Sequence, residues 1–388
     1  MKNNNDNSHT RRKFLHDAGL AALSVPVLSA LASCGNNKAG NTKKENDPNQ
    51  QRIEKEKAAG KLGIALVGLG NYASGQLAPA LLQTEHCYLA GIVTGTPSKA
   101  DEWKTKYGIP SKNIYDYQSF DKIKDNPDID IIYVVLPNSM HAEYSIRAAK
   151  AAKHVICEKP MAITVADCDK MIAACKQAGK MLSIGYRLHF EPYNLEMAKL
   201  GQQKAYGEIK KLTAEFGFDA PKGIWRLDKE LAGGGPLMDV GIYCIQAFCY
   251  VTGQEPIAVK AKEGPKTDPD RFNEVEQSLS WQFEMPGGLI AEGRSSYAEG
   301  MNQLRAEAEK GWFELQPAFN YGGLKGYTSD GGAMNLPQVN QQAKQMDDFA
   351  MAIKENRPSP IPGEMGRRDV KLMQAIYESM RTGQRIEC

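Results

Sequence analysis

The 388-residue chain is predicted to be an α/β protein. Its N-terminal half is a doubly wound parallel sheet that binds a dinucleotide. A second α+β domain follows, built on a large, mostly antiparallel open sheet. Three observations predict this. An apolar strand runs into a glycine-rich turn and then a helical pattern at Leu62–Leu82. Apolar strands and helical stretches then alternate to about residue 187, the pattern of a sheet covered by helices on both faces. Beyond about residue 190 the strands follow one another and several alternate apolar with polar.

The first strand, Leu62–Val67, ends in Gly68-Leu69-Gly70-Asn71-Tyr72-Ala73. This is G-x-G-x-x-A at a strand-to-helix junction, the Rossmann context. Glycines let the backbone approach a pyrophosphate, and the helix N-terminus faces its charge. A second strand, in "CYLAGIVTG", ends at Thr94-Gly95. An NAD enzyme usually places an acid there for the ribose hydroxyl. This chain offers Thr94, Thr96, Ser98 and Lys99, a set suited to an extra phosphate. NADP(H) is therefore favoured, with NAD(H) as the alternative.

Ile129 to Leu136 is a continuous apolar run, as a doubly covered parallel strand requires. It ends in Leu136-Pro137-Asn138, with His141 opening the next helix. "HVICEKP" ends in Glu158-Lys159-Pro160, and "KMLSIGYR" ends in Gly185-Tyr186-Arg187. Helices are expected over Lys99–Tyr107, His141–Ala152 and Val165–Ala178. Ligands of such sheets bind outside the carboxyl ends of the strands. Glu158, Lys159 and Arg187 thus share a rim with the phosphate loop, which lifts Lys159 above an ordinary surface lysine.

In the second half, "GEIKKLTAEFGFD", "EPIAVKAKEG" and "QLRAEAEKGWFELQP" are strand-like. Pro286-Gly287-Gly288 predicts a hairpin turn between Gln277–Glu284 and Leu289–Ser296. Gly233-Gly234-Gly235-Pro236 precedes a helix on which Asp239 and Tyr243, four apart, share a face. Two amphipathic helices from Gln345, broken at Arg357-Pro358, are expected to pack back on the first domain.

Ahead of the folded body, "TRRKFLHDAGLAALSVPVLSALASCG" pairs Arg11-Arg12 with an uncharged run from Ala18 to Ala32. The run is short for a spanning helix. Residues 1–34 are expected to be a twin-arginine export signal, with Cys34 in a lipoprotein-type box as the lipidated residue. The mature protein would then be periplasmic or membrane-anchored, touching the membrane only through that lipid. The alternative is a cut near Ala32 that leaves no anchor. Residues 35–60 are polar and are expected to be a tether. Residues 61–187 form the dinucleotide-binding domain and 188–388 the substrate and oligomerisation domain.

Beyond residue 34 the basic and acidic side chains balance, which speaks against a nucleic-acid partner. Seven cysteines remain there without a C-x-x-C pair, so neither a zinc site nor a disulfide framework is expected. No metal is expected.

"GLGNYA", "LPNSMHAEYSIRAAKAAKHVICEKPMA", "IGYRLHFEPYN" and "WRLDKELAGGGPLMDVGIY" together resemble the Gfo/Idh/MocA oxidoreductases, and within them the glucose–fructose oxidoreductase branch. The resemblance runs from about residue 61 to the C-terminus. It implies that Lys159 is the catalytic-site lysine beside the nicotinamide and the substrate hydroxyl. Asp239 and Tyr243 would hold the sugar, with Tyr243 as proton donor and acceptor. Many branches have histidine at that place. Thr94, Lys99 and Tyr117 match positions around the 2′-phosphate, and Arg187, Trp225 and Arg226 positions lining cofactor or sugar. The branch carries a proline-rich arm that crosses a dimer and covers the cofactor. Residues 35–60 contain only Pro48, so that means of retention is missing here.

The chemistry implied is oxidation of a sugar CH–OH group, with a second carbonyl sugar as acceptor in a ping-pong cycle. A phenol is a poor base at neutral pH, and a neighbouring ammonium favours its ionised form. A homo-oligomer, dimer or tetramer, is expected through the second-domain sheet. Two other readings are an NAD-dependent redox-assisted glycoside hydrolase, which releases monosaccharide without net oxidation, and a non-catalytic sugar-binding lipoprotein.

Overall fold

The structure, a computed structural model, describes residues 47–388. The expected export signal, Cys34 and the tether as far as residue 46 lie outside the described residues.

The first sheet has six parallel strands: β1 Leu62–Val67, β2 Cys87–Val93, β3 Ile114–Tyr115, β4 Ile131–Val134, β5 His154–Cys157 and β6 Leu182–Ile184. Their order is β3-β2-β1-β4-β5-β6, so the chain reverses direction across the sheet between β1 and β4, where doubly wound sheets open a crevice. The central strands are buried along almost their whole length. Helices cover both faces. Pro97–Tyr107 ends at Gly108, which takes a left-handed conformation. His141–Lys150 and Val165–Gln177 follow β4 and β5, and Thr164 caps the latter by accepting from Asp167 N.

The second sheet has eight strands: β7 Ile209–Gly217, β8 Ala258–Glu263, β9 Ser278–Glu284, β10 Ile290–Ser296, β11 Met301–Ala308, β12 Gly311–Leu315, β13 Gly326–Thr328 and β14 Ile386–Glu387. The order is β13-β12-β11-β7-β10-β9-β8-β14, and every pair is antiparallel except β7 with β10. The predicted hairpin joins β9 to β10 through Pro286–Gly288. In β9 the pattern is strict: Leu279, Trp281 and Phe283 are buried, while Ser280 and Gln282 are exposed. The buried face lies under the helix Ile242–Thr252, whose Phe248 meets Phe283 edge to face at 6.3 Å.

Of the two C-terminal helices, Gln341–Glu355 packs on the first domain. Met346, Phe349 and Ala350 join the cluster around Ile64 and Leu66, and Asp347 accepts from the amides of Glu85 and His86. The second, Gly363–Thr382, straddles both domains rather than packing on the first alone. Gly366 lies against Met161 and Ile184, while Ser379 Oγ accepts from Ala261 N on β8 at 2.9 Å.

The expected tether is wrong over its second half. Pro48–Ala58 is a helix docked on the first domain. Ile53 is fully buried, Arg52 donates to the carbonyls of Gly108 and Leu89, and Lys57 pairs with Asp128 at 3.0 Å. One apolar side chain and two basic anchors offset the ordering entropy that composition alone argued against.

Candidate active site

The phosphate loop leaves β1 at Gly68. Its φ of +94° suits glycine, and a Cβ there would stand 2.5 Å from the Val135 carbonyl. Gly70 differs: a Cβ there would meet nothing within 4 Å, so the loop opens onto free space where a pyrophosphate would lie. Beyond it a π turn, Ala73–Leu77, runs into the helix Ala78–Leu81. Lys99 Nζ reaches back to the Leu69 carbonyl at 3.2 Å and has no acidic partner among the described residues. Thr94 is buried beside it, and its Oγ1 accepts from Thr96 N. Gly68, Leu69, Gly70, Thr94, Gly95 and Lys99 therefore lie at the carboxyl ends of β1 and β2, where a Rossmann fold holds an NAD(P)-type dinucleotide.

Four expected cofactor residues have other duties. Tyr117 lies two residues past β3 on this rim, but its ring is turned into the core against Tyr144 at 5.5 Å. His141 is 1 % exposed, and its ring nitrogens lie 2.8 Å from the Pro160 and Leu136 carbonyls. It clamps the ends of β4 and β5 together. Burial pushes its imidazole down to about 4, against the pull of those carbonyls. Asn138 donates its amide to the Ala232 carbonyl across the domain boundary. Arg187 is buried and donates to Asn320 O and Phe319 O of the second domain, and to Gln341 Oε1.

At the end of β5 the carboxylate of Glu158 is buried. It accepts from Tyr133 OH at 2.6 Å and from Lys159 N at 3.2 Å. Burial pushes it above the usual carboxylate range, partly offset by Tyr133 and Lys159. Gly185 makes room for it, since a Cβ there would meet Glu158 Oε1 at 2.5 Å.

Lys159 points across the cleft. Its Nζ donates to the backbone carbonyl of Asp239 at 2.6 Å and to Oδ1 at 3.2 Å. Asp239 is not on the regular α-helix but in a π turn, Leu237–Gly241, that precedes it. Such turns recur at functional sites. Asp239 and Tyr243 still converge, because Lys159 Nζ stands 4.9 Å from the centre of the Tyr243 ring. The Arg187 guanidinium stands 5.0 Å from the same ring.

Asp239 Oδ2 meets Arg226 Nε at 3.0 Å and Tyr297 OH at 3.1 Å. Arg226 in turn stacks on Trp225 at 4.6 Å. Burial opposes ionisation of Asp239, but Arg226 and Lys159 outweigh it and hold the carboxyl well below the usual range. Its carboxylate therefore fixes two cations, Lys159 and Arg226, in place. Glu276 anchors the glycine turn, accepting from the amides of Gly235 and Leu237 and from Tyr377 OH.

Tyr297, Tyr321, Tyr133 and Glu276 were not singled out from the sequence. For Glu276 a signal existed, since the bare amides of Gly233–Gly235 call for an acceptor. For the tyrosines none did. Among the described residues no cluster of His, Cys, Asp or Glu could hold a metal ion, and Cys87, Cys157, Cys168, Cys175, Cys244, Cys249 and Cys388 are free thiols.

A Rossmann sheet here meets an open antiparallel sheet, with Lys159, Asp239 and Tyr243 brought together at the junction. The profile of the GFO/IDH/MocA oxidoreductase family, with its NAD-binding Rossmann fold, matches residues 62–186. That of the GFO/IDH/MocA C-terminal domain matches residues 194–314. The chain belongs to this family of NAD(P)-dependent oxidoreductases. It is 42 % identical to the aldose-aldose oxidoreductase of Caulobacter crescentus, solved with glycerol; the match spans 84 % of this chain and all of that one, with a TM-score of 0.82. It is 28 % identical to an NADP(+)-dependent D-xylose 1-dehydrogenase of Haloferax volcanii, over 84 % of this chain and 98 % of that protein. It is 26 % identical to the D-glucoside 3-dehydrogenase of Escherichia coli, over 84 % and 97 %.

Proposed function

We propose that this protein is a sugar oxidoreductase that retains NADP(H), oxidises a cyclic aldose at a CH–OH group and reduces a second carbonyl sugar on the same site. The observation that carries the reading is the Lys159–Asp239 contact across the domain boundary, with the Tyr243 ring 4.9 Å from the ammonium. The names of the Caulobacter and Haloferax relatives support the substrate class. Bound between the phosphate loop and Lys159, the cofactor supplies the hydride acceptor and donor. The chain supplies the rest. Tyr243 Oη takes the proton of the sugar hydroxyl and returns one to the carbonyl of the acceptor. Lys159 and Arg187 stabilise the oxygen charge that develops there. Asp239, bound by Arg226 and Tyr297, keeps Lys159 in line.

The choice of NADP(H) rests on Lys99, on Thr94 and on the lack of an acid after Val93. Export by the twin-arginine route, with Cys34 as lipid anchor, fits a protein loaded with cofactor before it leaves the cytosol. The open face of the eight-stranded sheet is the expected surface for a homo-oligomer. Denaturing the purified protein and identifying the released nucleotide tests the cofactor. Stoichiometric NADP(H) is expected. NAD(H) would overturn the cofactor assignment, and no nucleotide would overturn retention.

A further inference from the structure

The loop after β12 carries an aromatic side chain that no part of the proposed chemistry uses. Residues 318–320 are pinned on both sides of the cleft. Asn302 Oδ1 accepts from the amides of Ala318 and Phe319, each at 2.8 Å, and Asn302 Nδ2 donates to Asn320 Oδ1 at 2.7 Å. From the other domain Arg187 donates to Phe319 O at 2.5 Å and to Asn320 O at 3.0 Å. The next residue is Tyr321. Its ring lies 4.4 Å from the Arg187 guanidinium, and 5.8 Å from the ring of Tyr72 on the phosphate loop.

This arrangement is unusual in two respects. The loop is rigid at its base, yet Tyr321 is 48 % exposed, one of few large apolar side chains so placed. The cation beneath it, Arg187, is only 2 % exposed and faces Tyr243 as well. One guanidinium therefore ties the exposed ring to the catalytic ring. Desolvation pushes the Tyr321 phenol up, with Tyr243, Asp239 and Glu158 adding to it and Arg187 pulling the other way. Gly322 and Gly323 follow, and a Cβ on either would meet nothing within 4 Å, so the chain after the ring is not packed over.

A sugar ring has an apolar face of C–H groups whose hydrogens carry partial positive charge. Such a face suits the negative face of an aromatic ring. A fixed, half-exposed ring joined to the proton-transfer tyrosine is suited to receive it. We propose that Tyr321 is the stacking platform for the aldose ring, selecting cyclic sugars over short acyclic polyols. This rests on the sugar oxidoreductase reading above. Tyr321 positions the substrate and moves no proton.

The test is steady-state kinetics of the holoenzyme with D-xylose and with glycerol as hydride donors, each with a second carbonyl sugar in excess as the hydride acceptor. Tyr321→Ala is expected to raise KM for D-xylose about tenfold, the scale of one lost stacking contact. Its kcat should fall far less, and its KM for glycerol should move little. Tyr321→Leu, which keeps apolar bulk without a ring, should behave like Tyr321→Ala. Tyr321→Phe should restore most of the affinity. Bound nucleotide, read by its absorbance after denaturation, should be unchanged in all three. An unaltered KM for D-xylose overturns the proposal, as does an equal rise for both substrates. Loss of nucleotide also overturns it, by placing the ring on the cofactor. Wild-type protein that oxidises neither substrate refutes the sugar reading itself, a distinct result.

Discussion

Lys159 and Tyr243 carry the two roles most open to mutation. Lys159→Ala removes one cation facing the Tyr243 ring and frees Asp239, while Tyr243→Phe removes the proposed proton carrier and keeps the ring. Each should lower turnover about 10²-fold or more, the usual scale for an acid/base group. Bound nucleotide should persist in both. Wild-type turnover in Tyr243→Phe would refute its role. Lys99→Ala should weaken NADP(H) selectively, as calorimetry with both nucleotides would show; an equal loss for NAD(H) would mean that Lys99 only shapes the loop through Leu69 O. The rim position of Lys159 was legible because it stands just past a strand end, whereas the π turn that brings Asp239 to it was not. Tyr297 and Tyr321 were not, because nothing local marks a tyrosine whose partner lies 58 residues away, as Asp239 does from Tyr297, or on the other domain.

Two elements behave otherwise than their composition implied. The helix Pro48–Ala58 has a single buried apolar residue, and its composition reads as disorder. Its cap was nevertheless in the sequence: Asp47 accepts from Asn49 N, Pro48 opens the first turn and Lys55 and Lys57 close the last. Ile53→Ala should cost about 2–5 kcal/mol of stability, seen as a lower urea midpoint with kcat unchanged. No shift would mean that the helix is not docked in solution. The second case is His141, whose clamp between β4 and β5 titrates. Its folded value, about 4, lies below the unfolded value of about 6.5. Above 6.5 neither state holds the proton and the contribution is complete. As pH falls toward 4 the unfolded state takes up a proton that the folded state refuses, and stability is lost. His154, also pushed down to about 4 by burial, adds in the same direction. The urea midpoint should therefore fall between pH 7 and pH 5, and His141→Gln should flatten that fall. Parallel falls in the two proteins would contradict the assignment.

At the scale of the whole molecule, the site exists only because two sheets meet. β5 delivers Lys159, the π turn before Ile242–Thr252 delivers Asp239, and the helix Gln341–Glu355 supports the junction through Gln341 and Gln345. The parallel character of the first sheet, its helix spans and the hairpin at Pro286–Gly288 followed from periodicity and turn chemistry, while the strand orders did not. The way the domains close on each other did not, since no periodicity encodes the reach of Arg187 to Phe319 and Asn320. The central claim is a closed cycle, in which one sugar is oxidised, a second is reduced and no nucleotide is consumed. The most direct measurement incubates dialysed protein with an aldose alone, then with the aldose and a second carbonyl sugar, with no nucleotide added. The account predicts a single turnover in the first case, and in the second sustained lactone formation matched by polyol. Activity that requires free NADP⁺ in stoichiometric amounts would contradict it.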